Sequence, residues 1–346
     1  PGALSRGGQR ASGPGRADGG DVGPARRRLG HRGPRFDQPI GRGGYAWWYV
    51  DALSADGAHG LTIIAFIGSV FSPYYAFSRA RGDGDPANHV AMNVALYGKP
   101  ARWAMTERGR ASLDRGADHI AIGASAMRWD GAKLVIDINE TTAPLPRRLR
   151  GTVTVTPRAL TDQAFELDTA ARHRWQPLAP LCDVEATFDS PGMAWRGTGY
   201  FDTNDGDEPL EDAFKSWTWS RFDMADHARV VYDVVQRDGL ARGLSLRVGA
   251  SGAIETAATL ATTPLPKGLW GVERSAPADA GSAPVLLGTF EDAPFYTRSK
   301  IRSRIDGVEA MGVNESLTLG RLCAPWVRTL LPFRMPRSAA HGGMGR

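Results

Sequence analysis

From position 45 onward the chain runs on a period of two. Short runs rich in aromatic and β-branched residues alternate with Gly, Pro and Asp: YAWWYVD at 45–51, LTIIAFIGSVF at 61–71, HVAMNVALYG at 89–98 and RWAMTER at 102–108. That is the pattern of strands separated by tight turns. HIAIGASAMRWDGAKLVIDINE sets Asp130-Gly131 between two alternating runs, a strong hairpin signal. RLRGTVTVTP follows and halts at Pro157, then CDVEATF, a Ser-Pro-Gly turn and MAWRGTGYFD predict another hairpin. The second half keeps the style in SWTWSRFD, ARVVYDVVQ, LSLRVGASGAIE, VLLGTFE and SKIRSRIDGVEAMGVNESLTL, with Asp238-Gly239 and Asp306-Gly307 as turns. Only APWVRTLLPFRM, near the C-terminus, predicts a helix, with a turn or two around PLEDAF. The fold class is therefore all-β, of the antiparallel sandwich or barrel kind. Each half has the size of one antiparallel barrel of roughly eight to ten strands, and two in tandem account for the length. The predicted boundaries are 38–212 and 213–335, the second ending in the short helix.

Residues 1–37 and 336–346 lack the large apolar side chains that would offset chain entropy, and predict disordered tails. The first tail also changes the reading of charge. The chain carries a net +5, but residues 1–35 hold eight Arg against Asp18 and Asp21, which leaves the remainder at −1. A nucleic-acid binder needs a basic face on its folded part, so no nucleic-acid partner is expected. Arg26, Arg27 and Arg28 in this tail could meet anionic lipid. Two cysteines, Cys182 and Cys323, stand far apart and in no ligand spacing, which indicates neither a disulfide framework nor a zinc site. No apolar run is long enough to span a bilayer as a helix, and no secretory pattern is visible. A reduced, cytoplasmic location is the default expectation.

Candidate chemistry concentrates in 171–221. There a His-x-Trp pair (His173, Trp175) and a Tyr-x-Asp pair (Tyr200, Asp202) lead into a run of carboxylates, closed by Trp217 and Trp219. A carboxyl group desolvated by apolar rings holds its proton, and ring faces attract cations. An acid walled by such rings suits carbocation chemistry. Blander readings stand beside this one: a loop histidine bonded to backbone, and indoles that simply pack a core. In YAWWYVD, Tyr45, Trp47 and Tyr49 share one strand face while Trp48 and Val50 share the other, so core packing and pocket lining are both open. The run Asp202, Asn204, Asp205, Gly206, Asp207 loosely resembles a calcium loop, but its glycine is one place early and the twelfth position is Ala213. No dinucleotide fingerprint, Walker loop, nucleophile elbow or H-E-x-x-H occurs. No cofactor and no metal are expected.

The phrases HRWQPLAP, GTGYFDTNDGDEPLEDAFKSWTWSR and GRGGYAWWYVDALSADGAHGLTIIAFIGSVFSPYYAFSR resemble the carotenoid 1,2-hydratases, also called hydroxyneurosporene synthases. The resemblance runs from Pro39 to Arg334. It implies two tandem lipocalin-like barrels and a cofactor-independent addition of water across the terminal C1–C2 double bond of an acyclic carotene, neurosporene or lycopene. In phototrophic bacteria that step leads towards spheroidene or spirilloxanthin. It implies catalytic roles for His173, Trp175, Tyr200 and Asp202. Asp202 would protonate C2, and Trp175, Trp217, Trp219, Tyr200, Trp47 and Tyr49 would line the site or stabilise the C1 cation. His173 or the new Asp202 carboxylate would then take a proton from water. Asp205, Asp207, Glu208, Glu211 and Asp212 recede to supporting roles. A bilayer-resident polyene also implies peripheral contact with the inner or photosynthetic membrane; Trp326, Leu330, Leu331 and Phe333, with Arg328 and Arg334, read either as a patch for it or as a terminal helix docked on a barrel. A non-catalytic polyene carrier, and a cyclase or isomerase of the same wider group, are the competing expectations.

Overall fold

The computed structural model describes residues 33–338 and, ahead of them, the backbone of Arg26–Arg27, paired antiparallel with 163–164. The remainder of both expected tails lies outside the described residues. Two antiparallel sheets dominate. The larger, thirteen-stranded among the described residues, has Tyr45–Ser54 and Met193–Gly206 as neighbours at its centre. It curls until Arg102–Arg108 packs on Leu134–Thr141, and Arg108 Nη2 donates to the buried Glu140 Oε2 at 2.7 Å across that seam. The smaller, seven-stranded, is centred on Phe214–Asp223, flanked by His227–Gln236 and Val308–Thr318. A further two-stranded ribbon, Ala261–Leu265 with Arg274–Ala278, was not foreseen from the sequence pattern. The protein is all-β and lipocalin-like, as expected, with short helices towards the C-terminus.

Turn chemistry accounts for much of the connectivity. Asp130 Oδ1 accepts from the backbone N–H of Ala132 and Lys133, and Gly131 takes a positive φ of 98°, so the predicted hairpin forms. Asp306 and Gly307 both sit at positive φ, 51° and 81°, the geometry a two-residue hairpin turn favours. The predicted Ser-Pro-Gly turn joins the longest pair, His173–Ser190 and Met193–Gly206.

One helix departs from expectation. LTIIAFIGSVF predicts a single strand to residue 71, but the strand is Gly60–Ile67 and a helix, Pro73–Ala80, follows shortly. Ser72 caps it, accepting from Tyr75 N at 3.0 Å, and Pro73 occupies its first turn.

The sheets share a core. Along Tyr45–Ser54, the residues Ala46, Trp48, Val50 and Ala52 point into the interior of the larger sheet. Tyr45, Trp47 and Tyr49 point the opposite way, into a second cluster built jointly with Trp217, Trp219, Val230 and Tyr232 of the smaller sheet. Period-two alternation thus gives one strand two different hydrophobic partners. The expected division at 212/213 falls inside a one-turn helix, Leu210–Ala213, that bridges the sheets.

Order extends past both expected tail boundaries. Phe36 is fully buried against Trp48, whose indole N–H donates to Arg35 O at 3.1 Å. At the other end the chain leaves helix Pro325–Arg334 and returns to the larger sheet. Glu107 N donates to Pro336 O at 2.9 Å and Ser338 N to Glu107 O at 2.8 Å. Arg337 meets the Glu107 carboxylate and donates to Asn88 O at 2.9 Å. Residues 33–37 and 336–338 are therefore anchored by packing and hydrogen bonds that composition alone did not show.

Candidate active site

A cavity of about 380 Å³ opens between the two sheets. Cross-strand register builds its walls. In the larger sheet Asp202 stands opposite Tyr49, Tyr49 opposite Ile64, Ile64 opposite Asn93 and Asn93 opposite Met105. All five line the cavity. In the smaller sheet Tyr232, Trp219 and Glu315 form the facing row, with Arg298 next to Glu315. Leu330, Leu331 and Arg334 of helix Pro325–Arg334 form an outer wall, and the Arg334 guanidinium lies 4.5 Å from the Trp103 ring centroid.

Asp202 is a buried carboxyl on the cavity wall. Its Oδ2 accepts two hydrogen bonds, from Trp175 Nε1 and Tyr200 Oη, each at 2.8 Å. Its Oδ1 is buried without a partner among the described residues. Burial pushes this carboxyl up to about 8; the two donors pull in the opposite direction, and the charges of Glu315 and Asp51 add to the rise. At neutral pH the group is an acid that keeps its proton. Both neighbouring donors occupy Oδ2, which leaves Oδ1 as the oxygen free to carry that proton. Burial likewise holds the Tyr200 phenol far above its usual range, so it remains a donor.

The calcium-like run has a different explanation. Asp202, Asn204, Asp205 and Gly206 lie in the extended strand Met193–Gly206, not in a loop. Asp205 and Asp207 both pair with Arg174, Glu208 with Arg172, and Glu211 with Arg79. Alternation along the strand separates Asp202, turned to the cavity, from Asp205, turned to Arg174.

The predicted residues divide into three groups. Asp202, Trp47, Tyr49, Trp217 and Trp219 line the cavity. Trp175 and Tyr200 stand behind Asp202 as donors; the Tyr200 and Trp219 rings are 5.0 Å apart, edge to face. His173 does not line the cavity. Its Nδ1 lies 2.9 Å from Tyr45 Oη, and its buried Nε2 is 3.6 Å from Glu208 Oε1. Burial lowers the His173 pKa, so the ring is neutral. Tyr45 in turn stacks on Trp47 at 5.0 Å. Gly206 makes this packing possible, since a Cβ there would come within 2.4 Å of the Tyr45 ring and 2.8 Å of His173 Nδ1.

Sequence reasoning missed Glu315, Asn204 and Tyr232 in the cavity, and the ion cluster beneath it. Buried Asp51 lies 2.5 Å from both Arg221 Nε and Arg298 Nη2. Parity did carry a signal for two of these. Asp51 sits on the Trp47 and Tyr49 face of its strand, and Arg221 on the Trp217 and Trp219 face.

Fold and cavity define a lipocalin-like β protein with a buried carboxyl at the junction of two sheets. A crystal structure of an AttH candidate from Nitrosomonas europaea superposes with a TM-score of 0.56 over 82% of this chain and 97% of that one, at 14% identity, a likeness of fold alone. The sequence pattern of the carotenoid hydratase CrtC family matches residues 63–342, and the chain belongs to that family. It is similar to the acyclic carotenoid 1,2-hydratase of Thiocapsa roseopersicina, 50% identical over 97% of this chain and 84% of that protein. The enzyme of the same name from Rubrivivax gelatinosus is 47% identical over 88% of this chain and 76% of its own length. The protein is therefore a hydratase, as the sequence phrases implied.

Proposed function

We propose that this hydratase adds water across the terminal C1–C2 double bond of an acyclic carotene such as lycopene or neurosporene, with Asp202 as the acid. The observation that carries the reading is a buried carboxyl on the wall of a largely apolar cavity, with two donors on one oxygen and no partner on the other among the described residues. An isolated trisubstituted alkene is a very weak base, so its protonation is the demanding step. Asp202 Oδ1–H gives its proton to C2, and the tertiary cation forms at C1. The new Asp202 carboxylate is held at once by the Trp175 and Tyr200 donors, in a water-poor site where fixed dipoles act strongly. The Trp219, Trp217, Trp47 and Tyr49 rings surround the cation, each face contributing about 0.5–2 kcal/mol. Water then bonds to C1 and loses a proton inside the cavity. His173 serves this chemistry at one remove, by holding Tyr45 and thus the Trp47 wall.

The substrate's apolar length accounts for the outer rim. Leu269 is 97% exposed and Phe333 70%. The Trp270 and Trp326 rings stack at 6.1 Å beside them. Arg81 lies over the exposed Phe77 ring on helix Pro73–Ala80, which packs on helix Pro325–Arg334. Exposed aromatics fringed by Arg suit the interface of an anionic bilayer. No helix among the described residues is long and apolar enough to cross a membrane. On this reading the protein rests on the membrane surface from the cytoplasmic side and draws one end of the polyene into the cavity.

Incubation of the purified protein with lycopene in anionic vesicles, read by mass spectrometry, tests the reading. A product heavier by one water is expected. Polyene that co-purifies unchanged, or a product of unchanged mass, would instead make the protein a carrier or an isomerase. Phe333→Asp is expected to release the protein from the vesicles; undiminished sedimentation with them would remove the rim from the account.

A further inference from the structure

Glu291, Asp292 and Glu315 line the cavity beside Asp202; of these three Glu315 is the buried one, and the chemistry above leaves it unused. Glu315 lies in Val308–Thr318, opposite Trp219 on one side and Arg298 on the other. Its Oε1 accepts from the Tyr49 hydroxyl at 2.8 Å and from Arg298 Nη1. Arg298 is fully buried and is also held by Asp51, which takes the equally buried Arg221 as well. Taking charges out of water costs several kcal/mol per ion even when they are paired. Two buried guanidiniums and their carboxylates beneath an apolar cavity are therefore an expensive floor, of the kind functional sites maintain. Burial raises the Glu315 carboxyl above the ordinary range of a glutamate, with Arg298 and the Tyr49 hydroxyl opposing the rise; a raised carboxylate is a stronger proton acceptor than an ordinary one. Asn204 lines the same cavity, and its buried amide lies beside the Tyr232 hydroxyl, which also lines it. A water molecule set between an acceptor carboxylate and an amide donor would be oriented by both.

We propose that Glu315 is the base that takes the proton of the attacking water, a role that rests on Asp202 being the acid. The steps balance. The alkene π pair forms the new C2–H bond with the Asp202 proton, leaving the Asp202 carboxylate and the C1 cation. A water lone pair forms the C1–O bond, and one water proton passes to Glu315. Product leaves with Glu315 protonated and Asp202 ionised, and proton transfer through solvent resets the pair. Asp202 belongs to the larger sheet and Glu315 to the smaller, so acid and base reach the double bond from separate walls.

Deuterium separates the two roles. In D2O, Asp202 returns the cation to alkene by removing either isotope from C2, so protonation without capture leaves a label in recovered carotene. The wild-type protein is expected to give hydrated product labelled at C2. Glu315→Gln is expected to lose hydration by about 100-fold while recovered lycopene still gains deuterium. Hydration by Glu315→Gln within a few fold of wild type overturns the role. So does a folded Glu315→Gln protein, with an unchanged unfolding profile, that loses both hydration and exchange. If that variant does not fold, Glu315→Asp keeps the charge against Arg298 and withdraws the carboxylate by one methylene. Its hydration is expected to fall more than its exchange, and an equal fall in both overturns the role. Failure of the wild-type protein to hydrate lycopene in the same assay would strike the proposed function instead.

Discussion

Asp202 and Glu315 border one cavity, each buried and each holding a tyrosine hydroxyl on one oxygen, Tyr200 for the first and Tyr49 for the second. Their second donors differ. Asp202 has the neutral indole of Trp175, and Glu315 has the guanidinium of Arg298. A neutral donor steadies a carboxylate without neutralising it, so burial prevails and Asp202 stays protonated. A buried cation opposes burial directly, so Arg298 restrains the rise that burial gives Glu315. Both carboxyls are raised by burial, but only Glu315 has a cation beside it, and the proposed division into acid and base rests on that difference.

The sharpest way to break this contrast is Asp202→Asn. Removing a general acid is expected to cost on the order of 10²–10⁴ in hydration, measured as turnover of lycopene. The same variant reports on stability. The folded pKa of Asp202, about 8, lies above its unfolded value of 3.8, so the native state keeps a proton that the unfolded chain releases between those limits. Stability from this group is complete below about 4 and drains away as pH rises to about 8. Asp202→Asn should therefore stabilise the protein more at pH 8 than at pH 5. Equal shifts in melting temperature at the two values would show that Asp202 is not the buried acid described.

A finer test moves the acid without removing it. Hydration by the wild-type protein should fall about tenfold per pH unit above about 8, as neutral Asp202 is lost. Trp175→Phe deletes one donor to the Asp202 carboxylate. Hydrogen bonds to charged groups contribute about 1.5–3 kcal/mol, so the alkaline limb should move up by on the order of one to two pH units. Turnover on the plateau should fall, because the carboxylate left after proton transfer is less well held. A limb that stays at about 8 would detach Trp175 from the acid.

The gentlest perturbation lies furthest from the carboxyls. His173→Gln removes the ring that Tyr45 Oη meets, and thereby loosens the Trp47 wall. A loss of hydration by about tenfold is expected, of the size one hydrogen bond supplies, with the alkaline limb unmoved. Movement of that limb would return His173 to direct proton transfer.

How far the sequence foretold this contrast depends on the range of the signals. Strand parity is local, so Trp47 and Tyr49 were legible as one face and Trp48 and Val50 as the other, and the Asp-Gly turns marked three hairpins. Ser72-Pro73 carried a local helix-start signal as well, masked by the apolar run before it. Asp202 stood out because an acid between aromatic pairs is unusual in a strand. Glu315 did not, since its neighbours Asn314 and Ser316 are polar and its meaning comes from Trp219 and Arg298. That proximity is set by strand register across as many as 96 residues of chain, which no local pattern encodes. The shared core was hidden for the same reason: alternation says that a strand has two faces, not which sheet each face meets.

The return of the chain to the larger sheet orders events during synthesis. Arg337 and Ser338 fasten to Asn88 and Glu107, elements translated some 230 residues earlier. The helix before them carries the outer wall of the cavity. Until residue 338 has cleared the ribosome, Asp202 sits on a sheet without its cover, open to water that would draw its pKa back towards that of an ordinary aspartate. On that view the raised pKa of Asp202 depends on residues far downstream of it, and the growing chain carries an ordinary aspartate at 202 until they arrive.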